Sequence, residues 1–166
     1  MLQLLKTHFG YGSFRPLQQD IIQHILLKKD ALVLMPTGGG KSICYQLPAI
    51  MMDGTAIVVS PLISLMKDQV ERLQANGIAA RAMNSANNET ENLMLRRECQ
   101  QGRVKHLFIS PERLLLEMNF LLKEMKISLF AIDEAHCISQ WGHDFRPEYT
   151  QLKSIREQIP EVPIVA

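Results

Sequence analysis

The stretch Ala31–Ser42, ALVLMPTGGGKS, decides how the rest of this chain is interpreted. Four apolar residues, Ala31–Leu34, predict a short buried strand, and a helical pattern begins directly after Ser42. Glycines let successive backbone N–H groups point at an anion, and the start of a helix adds free N–H groups of its own. The stretch therefore predicts a phosphate-binding loop; the alternative is a glycine-rich turn followed by an unrelated Lys-Ser pair.

The side chains of this loop have the chemistry that a nucleoside triphosphate and Mg²⁺ require. Lys41 would give a positive charge to the outer phosphates, and the Ser42 hydroxyl would be a ligand for Mg²⁺. The first glycine of the G-x-x-x-x-G-K-S pattern is replaced by Met35, so the match is incomplete at that end. We expect nucleotide contacts along the whole loop, from Met35, Pro36, Thr37, Gly38, Gly39, Gly40, Lys41 and Ser42.

The bulk composition limits the classes of function. A length of 166 residues fits one domain, either whole or as part of a larger protein. A net charge of +1 argues against binding nucleic acid through bulk charge alone. Cys44, Cys99 and Cys137 form no CxxC pair, which favours buried thiols over zinc or disulfides. This cysteine pattern predicts a reducing compartment, the cytoplasm of a bacterium or the nucleus of a eukaryote. The sequence shows no signal peptide and no apolar run of membrane-spanning length.

Short apolar segments alternate with helical segments along the chain, which is typical of βαβ units and a parallel sheet covered on both faces. The carboxyl ends of parallel strands meet at one edge of the sheet, so the loops that follow them should lie together there. The predicted strands cover residues 56–60, 78–83, 106–110, 128–132 and 162–166, and the predicted helices cover two segments within 1–29, then 43–52, 62–75, a charged segment ending near 101, 112–125 and 149–158.

Two carboxylates, Asp133 and Glu134, follow directly after the apolar run SLFAI. In a nucleotide-binding sheet, an aspartate at this position can hold Mg²⁺ opposite Ser42, and the adjacent glutamate can orient the water that attacks the γ-phosphate. The alternative is a carboxylate pair that caps the next helix. The phosphate-binding loop upstream favours the first interpretation, in which Asp133 holds Mg²⁺ and Glu134 orients the water.

Several segments together resemble the RecQ family of superfamily 2 DNA helicases. FGYGSFRPLQ (Phe9–Gln18) is similar to the adenine-recognition motif of that family. The resemblance implies a three-layer P-loop NTPase fold (RecA-like, α/β) with a mostly parallel central sheet. It also implies that residues 1–166 are the first motor lobe, with an adenine-recognition segment at about 1–29, and that the second lobe and the zinc-binding and winged-helix regions lie elsewhere in the parent protein. The other segments that carry the resemblance are MPTGGGKS (Met35–Ser42), SPLISLMKDQV (Ser60–Val70), SPERL (Ser110–Leu114) and DEAHCISQWGHDFRPEY (Asp133–Tyr149).

The resemblance assigns three residues near the N-terminus to the base of ATP. Tyr11 would stack on adenine, Gln18 would hydrogen-bond to its edge, and Arg15 would steady the ring or a phosphate. The residue types alone also allow a tyrosine that packs in a turn and a solvated helix face.

The resemblance assigns a second group to contact with DNA. The segment that contains Trp141, His143, Phe145 and Arg146 is similar to an aromatic-rich loop that links DNA contact to ATP hydrolysis. From composition alone, Trp141 and Phe145 fit core packing equally well. Ser60, Ser64, Lys67 and residues 110–113 are further candidates for contact with the DNA phosphates, although a solvated helix face explains Lys67 equally well.

The motifs and the resemblance together predict the ATP-binding lobe of a motor that uses ATP and Mg²⁺ and does not engage a membrane. The resemblance alone implies that the motor unwinds DNA in the 3′-to-5′ direction, acts in repair or recombination, and binds single-stranded DNA or a duplex junction. The second lobe would supply an arginine to the transition state, so we expect the chain alone to bind nucleotide weakly and hydrolyse it slowly or not at all. One alternative is a P-loop ATPase motor that does not act on nucleic acid. Another is a non-catalytic, nucleotide-dependent binding module, which would not need Glu134.

Overall fold

The computed structural model describes residues 1–36, 38–133 and 153–166. In these residues a parallel sheet of five strands forms the centre of the fold, in the order β2-β3-β1-β4-β5. This sheet confirms the predicted α/β architecture. The strands are β1 (Thr55–Val59), β2 (Ala80–Met83), β3 (His106–Ile109), β4 (Ile127–Ile132) and β5 (Ile164–Val165).

Helices connect the strands, as parallel pairing requires. A short helix, α1, continues directly into one π-helical segment, and the two together form the first of the two predicted N-terminal helices. The helices are α1 (Leu2–Leu4) with the π-helical segment Leu5–Phe9, α2 (Gln18–Leu26), α3 (Lys41–Met51), α4 (Ile63–Ala75), α5 (Glu89–Gln100) and α6 (Pro111–Lys123), and residues 153–158 are also helical.

Alternation along the strands builds two cores, one on each face of the sheet. On β1, Val58 packs with residues of α2, α3 and α4, whereas its neighbours Ile57 and Val59 pack with α5 and α6. Because successive strand residues point to opposite faces, an unbroken apolar strand supplies both cores. The fold therefore has three layers, with the sheet between two sets of helices.

The carboxyl ends of three central strands lie side by side, as predicted. The Ser60 N–H donates to the Ile109 carbonyl at 3.0 Å, and the Asp133 N–H donates to the Val59 carbonyl at 2.9 Å. The first residues after β1, β3 and β4 are therefore held at one edge of the sheet.

The prediction of a buried strand at Ala31–Leu34 is wrong. The segment makes one isolated parallel bridge, between Ala31 and Val165, and the Leu32 and Leu34 side chains are 74% and 84% exposed. Within the described residues the segment has a strand on one side only, so its apolar residues alternate between half-buried and exposed. An apolar run therefore did not indicate burial on both faces here.

Two helices begin earlier than predicted because of N-terminal caps. In α5, the Asn88 side chain accepts from the Glu91 N–H at 2.8 Å, and the Glu91 carboxylate accepts from the Asn88 N–H at 2.8 Å. This reciprocal pair is a capping box, which starts the helix at Glu89, inside residues 84–91, whose polar residue types predict a loop. In α6, Ser110 is the cap and Pro111 is the first residue, where the missing N–H costs nothing.

Two of the three cysteines lie in the described part, and both are buried and free, as predicted. Burial raises the pKa of the Cys44 thiol to about 11 and that of the Cys99 thiol to about 12. Both thiols are therefore protonated and unreactive at neutral pH. Cys137 lies outside the described residues.

Across the described ranges, every helix is too short or too polar to cross a membrane.

Candidate functional site

The glycine-rich loop ends at the start of α3. Gly40 is the N-cap of the helix with φ of 86°, Gly38 has φ of 78°, and Lys41 is the first helical residue. These two left-handed conformations turn the chain so that the loop faces the N-terminus of α3. Lys41 and Ser42 are half-buried and line a cleft of about 760 Å³. The loop therefore presents a cation, a hydroxyl and a helix start to one open space.

Gln18 and Arg15 hold this loop from the side of α2. The buried Gln18 amide donates from Nε2 to the Gly40 carbonyl at 3.0 Å and accepts at Oε1 from the Arg15 N–H at 2.8 Å. The Arg15 guanidinium also donates to the Gly38 carbonyl. Two of the three residues assigned to the base of ATP are thus bonded directly to the phosphate-binding loop.

The N-terminal segment forms one wall of the same cleft. Phe9 and the half-exposed Tyr11 line it beside Gly12 and Ser13. The His8 ring nitrogen Nδ1 donates to the Asn76 carbonyl at 3.2 Å, which attaches this segment to the end of α4. Tyr11 therefore lies in the same cleft as Lys41, as the predicted adenine contact requires.

Asp133 reaches the cleft from the end of β4. It lines the cleft together with Lys41 and Ser42, and its Oδ2 accepts from the Tyr45 hydroxyl at 3.3 Å. A second cavity of about 380 Å³ shares Lys41 and Asp133 with the cleft and is also lined by Met35 and Tyr45. The structure thus brings together the predicted cation, hydroxyl and carboxylate from three separate parts of the sequence.

Helix α4 supplies a wall that the sequence analysis missed. Gln69 and Arg72 of this helix, together with Asn76 at its C-cap, line the cleft. Gln46 of α3 donates to the Gln69 side-chain oxygen at 2.7 Å, so the two helices are joined at the floor of the cleft. The spacing of these polar residues, three and four positions apart, was the available signal, but it is also the pattern of any solvated helix face.

A buried histidine supports α3 from below. His106 of β3 is fully buried, and its Nε2–H donates to the Gln46 carbonyl at 3.2 Å. Burial lowers the pKa of His106 to about 4, so the imidazole is neutral at physiological pH. The ring therefore acts as an uncharged support under the helix that carries Lys41 and Ser42.

The donor set fits a nucleoside triphosphate with Mg²⁺. Ser42 offers a hydroxyl and Asp133 a carboxylate, which are hard oxygen ligands, and phosphate oxygens complete such a site. Within residues 1–36, 38–133 and 153–166, three or more His, Cys, Asp or Glu side chains nowhere gather into a group that could hold a metal ion.

Six predicted site residues lie outside the described residues. They are Thr37 of the loop, Glu134, and the proposed DNA-contact residues Trp141, His143, Phe145 and Arg146.

Gly40 gives a prediction about the loop. A Cβ at this position would lie 2.3 Å from Gln18 Nε2, and φ of 86° strains any other residue. Gln18 is buried and bonded at both ends of its amide, so it can yield only by giving up its bond to the loop. We expect Gly40→Ala to weaken binding of a fluorescent ATP analogue about tenfold and to lower the free energy of unfolding by about 2 kcal/mol.

Gly77→Ala is the matched control for Gly40→Ala. Gly77 has φ of 76° with no heavy atom within 4 Å of an added Cβ, and it lies outside the cleft lining. It should cost about 1 kcal/mol of stability through backbone strain alone and leave nucleotide affinity unchanged. Equal nucleotide affinities for the two variants would contradict the role given to the Gln18–Gly40 contact.

Comparison with known families and proteins agrees with this geometry. Residues 15–166 match the family model for the DEAD/DEAH box helicase. The chain is 51% identical over 166 residues to the "ATP-dependent DNA helicase RecQ" of Haemophilus influenzae, 46% identical to that of Bacillus subtilis, and 44% identical to the "ATP-dependent DNA helicase Q-like 2" of Arabidopsis thaliana. These matches cover 99%, 98% and 95% of this chain but only 27%, 28% and 24% of the relatives, so the chain spans about a quarter of their length.

A solved structure shares the fold. The crystal structure of a hypothetical ATP-dependent RNA helicase from Sulfolobus tokodaii superposes with a TM-score of 0.75 at 20% identity, over 99% of this chain and 49% of the other. At that identity the likeness concerns the fold alone, and it confirms the RecA-like arrangement.

Proposed function

This chain belongs to the DEAD/DEAH box helicase family and to its RecQ branch, and on that premise we propose that it is the ATP-binding lobe of a DNA helicase in which ATP hydrolysis drives strand separation. Its relatives are named ATP-dependent DNA helicases. The 3′-to-5′ direction and the role in repair or recombination are part of the proposal, as is an intracellular location together with the DNA.

One observation carries the ATP half of the proposal. Lys41 and Ser42 at the start of α3 and Asp133 at the end of β4 line a single cleft, although about ninety residues separate them in sequence. On an ordinary solvated surface, a lysine, a hydroxyl and a carboxylate at a strand end are not expected to lie together. Here they lie beside a glycine-rich loop in which two residues have left-handed backbone conformations. The same set is what a Mg²⁺-nucleotide requires.

Each residue then has a specific task. Lys41 neutralises charge on the outer phosphates, and the Gly38–Gly40 backbone provides N–H donors to them. Ser42 and Asp133 hold Mg²⁺, which, when bound, offsets the negative charge that develops on the phosphates. Glu134 orients and polarises the attacking water.

The base of ATP would bind at the N-terminal wall. Tyr11 supplies an aromatic face there. Gln18 already uses one N–H and one oxygen lone pair within the protein, but its amide keeps a second N–H and a second lone pair for the adenine edge. Arg15 steadies the ring or a phosphate from its position on the Gly38 carbonyl. Adenine contact and loop position would thus be coupled through the same two side chains.

The DNA half of the proposal rests on the RecQ relatives and on the motif that contains Trp141, His143, Phe145 and Arg146. In this proposal the aromatic side chains stack on unpaired bases, and Arg146 contacts a phosphate or a ring face. The motif begins a few residues after Glu134, so DNA contact and water activation lie close in the chain. A second RecA-like lobe of the parent protein would complete the ATP site with its arginine.

The alternative is a P-loop ATPase motor that does not act on nucleic acid. It needs the same loop and the same carboxylates but not the aromatic motif, and DNA would not change its rate of ATP hydrolysis. The RecQ relatives disfavour it.

The test is ATP turnover by the full-length protein with and without single-stranded DNA, for the wild type and for Trp141→Ala. We expect DNA to stimulate turnover strongly in the wild type, and Trp141→Ala to lose about tenfold of that stimulation while its turnover without DNA persists. If DNA does not change the ATP turnover of the wild type, the P-loop ATPase motor that does not act on nucleic acid is favoured. If DNA stimulates Trp141→Ala as strongly as the wild type, Trp141 is an ordinary packing residue.

A further inference from the structure

The nucleotide cleft contains a cation to which the proposed function gives no role. Among the described residues that line the cleft, three side chains carry a positive charge, Arg15, Lys41 and Arg72, and Asp133 carries a negative charge. Arg15 donates to the Gly38 carbonyl, and Lys41 begins α3 beside the phosphate-binding loop. Arg72 belongs to a different element, α4, so the positive charge of the cleft is divided between separate walls.

The Arg72 guanidinium is available to a ligand. Its side chain is exposed, and within the part of the chain that the structure describes it makes no hydrogen bond and no ion pair. A guanidinium group carries five N–H donors in a planar fork, which fits the oxygens of a phosphate. Arg72 therefore offers the cleft a cation that is suited to an oxyanion.

A second donor lies on the same side of α4. Gln69 is half-buried, lines the cleft and comes three residues before Arg72, a spacing that places two side chains next to each other on a helix. Gln69 Oε1 accepts from Gln46 Nε2 at 2.7 Å. The Gln69 nitrogen has two N–H donors, and the described residues provide no acceptor for either. Gln69 can therefore donate to the same ligand as Arg72.

Buried contacts fix the orientation of the Gln69 amide. Gln46 is 5% exposed, and its backbone carbonyl accepts from His106 Nε2–H at 3.2 Å. His106 is fully buried in β3, so a series of hydrogen bonds extends from the sheet through α3 to α4. Because Gln46 binds the oxygen of the Gln69 amide, the nitrogen is directed away from Gln46. A glutamine on an ordinary solvated helix face would not be held in this way.

The position of Gln46 along α3 indicates which part of a nucleotide this wall would meet. In the proposed function, Lys41 and Ser42 at the start of α3 contact the outer phosphates and Mg²⁺. Gln46 comes four residues after Ser42, which is about one helical turn or ~6 Å along the helix axis. Gln69, which is bonded to Gln46, is therefore displaced by about one turn from the groups that meet the outer phosphates. The next anionic group of the nucleotide is its α-phosphate.

We propose that Gln69 and Arg72 form a subsite for the α-phosphate of the bound nucleotide, in which Arg72 is the charged contact and Gln69 is an oriented donor. This inference rests on the proposed function, which places a nucleoside triphosphate in the cleft. It assigns the two lysine and arginine walls to different phosphates: Lys41 contacts the outer phosphates, and Arg72 contacts the inner one.

The test is a competition assay in which adenosine, AMP and ATP displace a fluorescent ATP analogue from the full-length protein. We expect Arg72→Gln to weaken the binding of AMP and of ATP by the same factor, about tenfold, because a hydrogen-bonded charge contact is lost. Adenosine has no α-phosphate, so its affinity should not change. Arg72→Lys keeps the charge but loses the planar fork, so its effect should be smaller in the same direction.

Arg97→Gln is the matched control for Arg72→Gln. Arg97 is an exposed arginine in the last turn of α5 and lies outside the cleft lining. The variant removes the same charge from the protein, and it should leave the affinities for adenosine, AMP and ATP unchanged.

Gln69→Glu isolates the role of the Gln69 nitrogen. The variant keeps an oxygen that accepts from Gln46 and replaces the two N–H donors by a second oxygen with a negative charge. We expect the binding of AMP and ATP to weaken about tenfold through repulsion of the α-phosphate, with adenosine unchanged. Gln23→Glu adds the same charge on an exposed part of α2 outside the cleft lining, and it should change none of the three affinities.

Three results with Arg72→Gln would overturn the inference. A loss for ATP without a loss for AMP would place Arg72 at the outer phosphates, and an equal loss for adenosine would place it at the base. Unchanged affinities for all three would exclude contact with the nucleotide. If Arg72→Gln then weakened the binding of single-stranded DNA measured without nucleotide, the phosphate that Arg72 contacts would belong to DNA.

The outcomes distinguish the inference from the proposed function. A wild-type protein that binds ATP, together with an Arg72→Gln variant that binds AMP and ATP equally tightly, would refute the inference and leave the function standing. A wild-type protein that binds neither AMP nor ATP would refute both.

Discussion

Replacing Lys41 by alanine is expected to lower ATP turnover by about a hundredfold or more, because it removes the cation that lies beside the phosphate-binding loop. Lys41 is the first residue of α3, so its side chain begins where the helix N-terminus and the Gly38–Gly40 backbone converge. Another cation cannot replace it from the loop itself, since its neighbours there are glycines and a serine. The loss should appear as weaker binding of a triphosphate, with a smaller effect on a monophosphate, which lacks the outer phosphates.

Lys123→Ala is the control for this variant. Lys123 is an exposed lysine in the last turn of α6 and lines none of the described clefts beside the loop. It should leave both turnover and nucleotide affinity unchanged. Equal losses for triphosphate and monophosphate in Lys41→Ala would mean that Lys41 shapes the loop rather than contacting the outer phosphates.

The second large effect is expected for Asp133→Asn. The change keeps the size of the side chain but removes the charge that would hold Mg²⁺ opposite Ser42. We expect turnover to fall by about a hundredfold and the dependence of nucleotide affinity on Mg²⁺ to flatten. Measurement of nucleotide affinity across a Mg²⁺ titration checks this directly.

Tyr45→Phe tests whether the charge or the hydrogen bond at Asp133 matters. It removes the hydroxyl that lies 3.3 Å from Asp133 Oδ2 and leaves the carboxylate in place. A loss of about 1 kcal/mol in stability is expected from one hydrogen bond, with the Mg²⁺ dependence retained. If Asp133→Asn kept its full Mg²⁺ dependence, Asp133 would be a structural residue and the assignment of the metal site would be wrong.

The layered fold could be predicted from the sequence because its strands are apolar without interruption. A run such as AIVV in β1 supplies both cores, and helical spacing in α4 places Met66, Val70 and Leu73 toward the sheet. The same reasoning gave a wrong prediction for Ala31–Leu34, which is not a buried strand. Its composition matches the central strands, but exposure depends on which strands lie beside it, and that is a property of the sheet rather than of the segment.

The candidate site was only partly predictable for a similar reason. The loop, Lys41, Ser42 and Asp133 belong to local motifs, and topology brings motifs at strand ends together. Contacts such as those from Gln18 to Gly40 and from Gln46 to Gln69 join residues that are distant in sequence. Glutamine and arginine are ordinary residues on a solvated helix, so only the packing of the helices shows what these side chains do.

The most direct test of the central claim is ATP-dependent strand separation by the full-length protein on a duplex with a single-stranded 3′ tail, compared with a duplex that carries a 5′ tail. Lys41→Ala serves as the variant without a functional ATP site. We predict separation of the 3′-tailed duplex that requires ATP and Mg²⁺, little separation of the 5′-tailed duplex, and none with Lys41→Ala. Hydrolysis of ATP by the wild type without separation of either duplex would contradict the account.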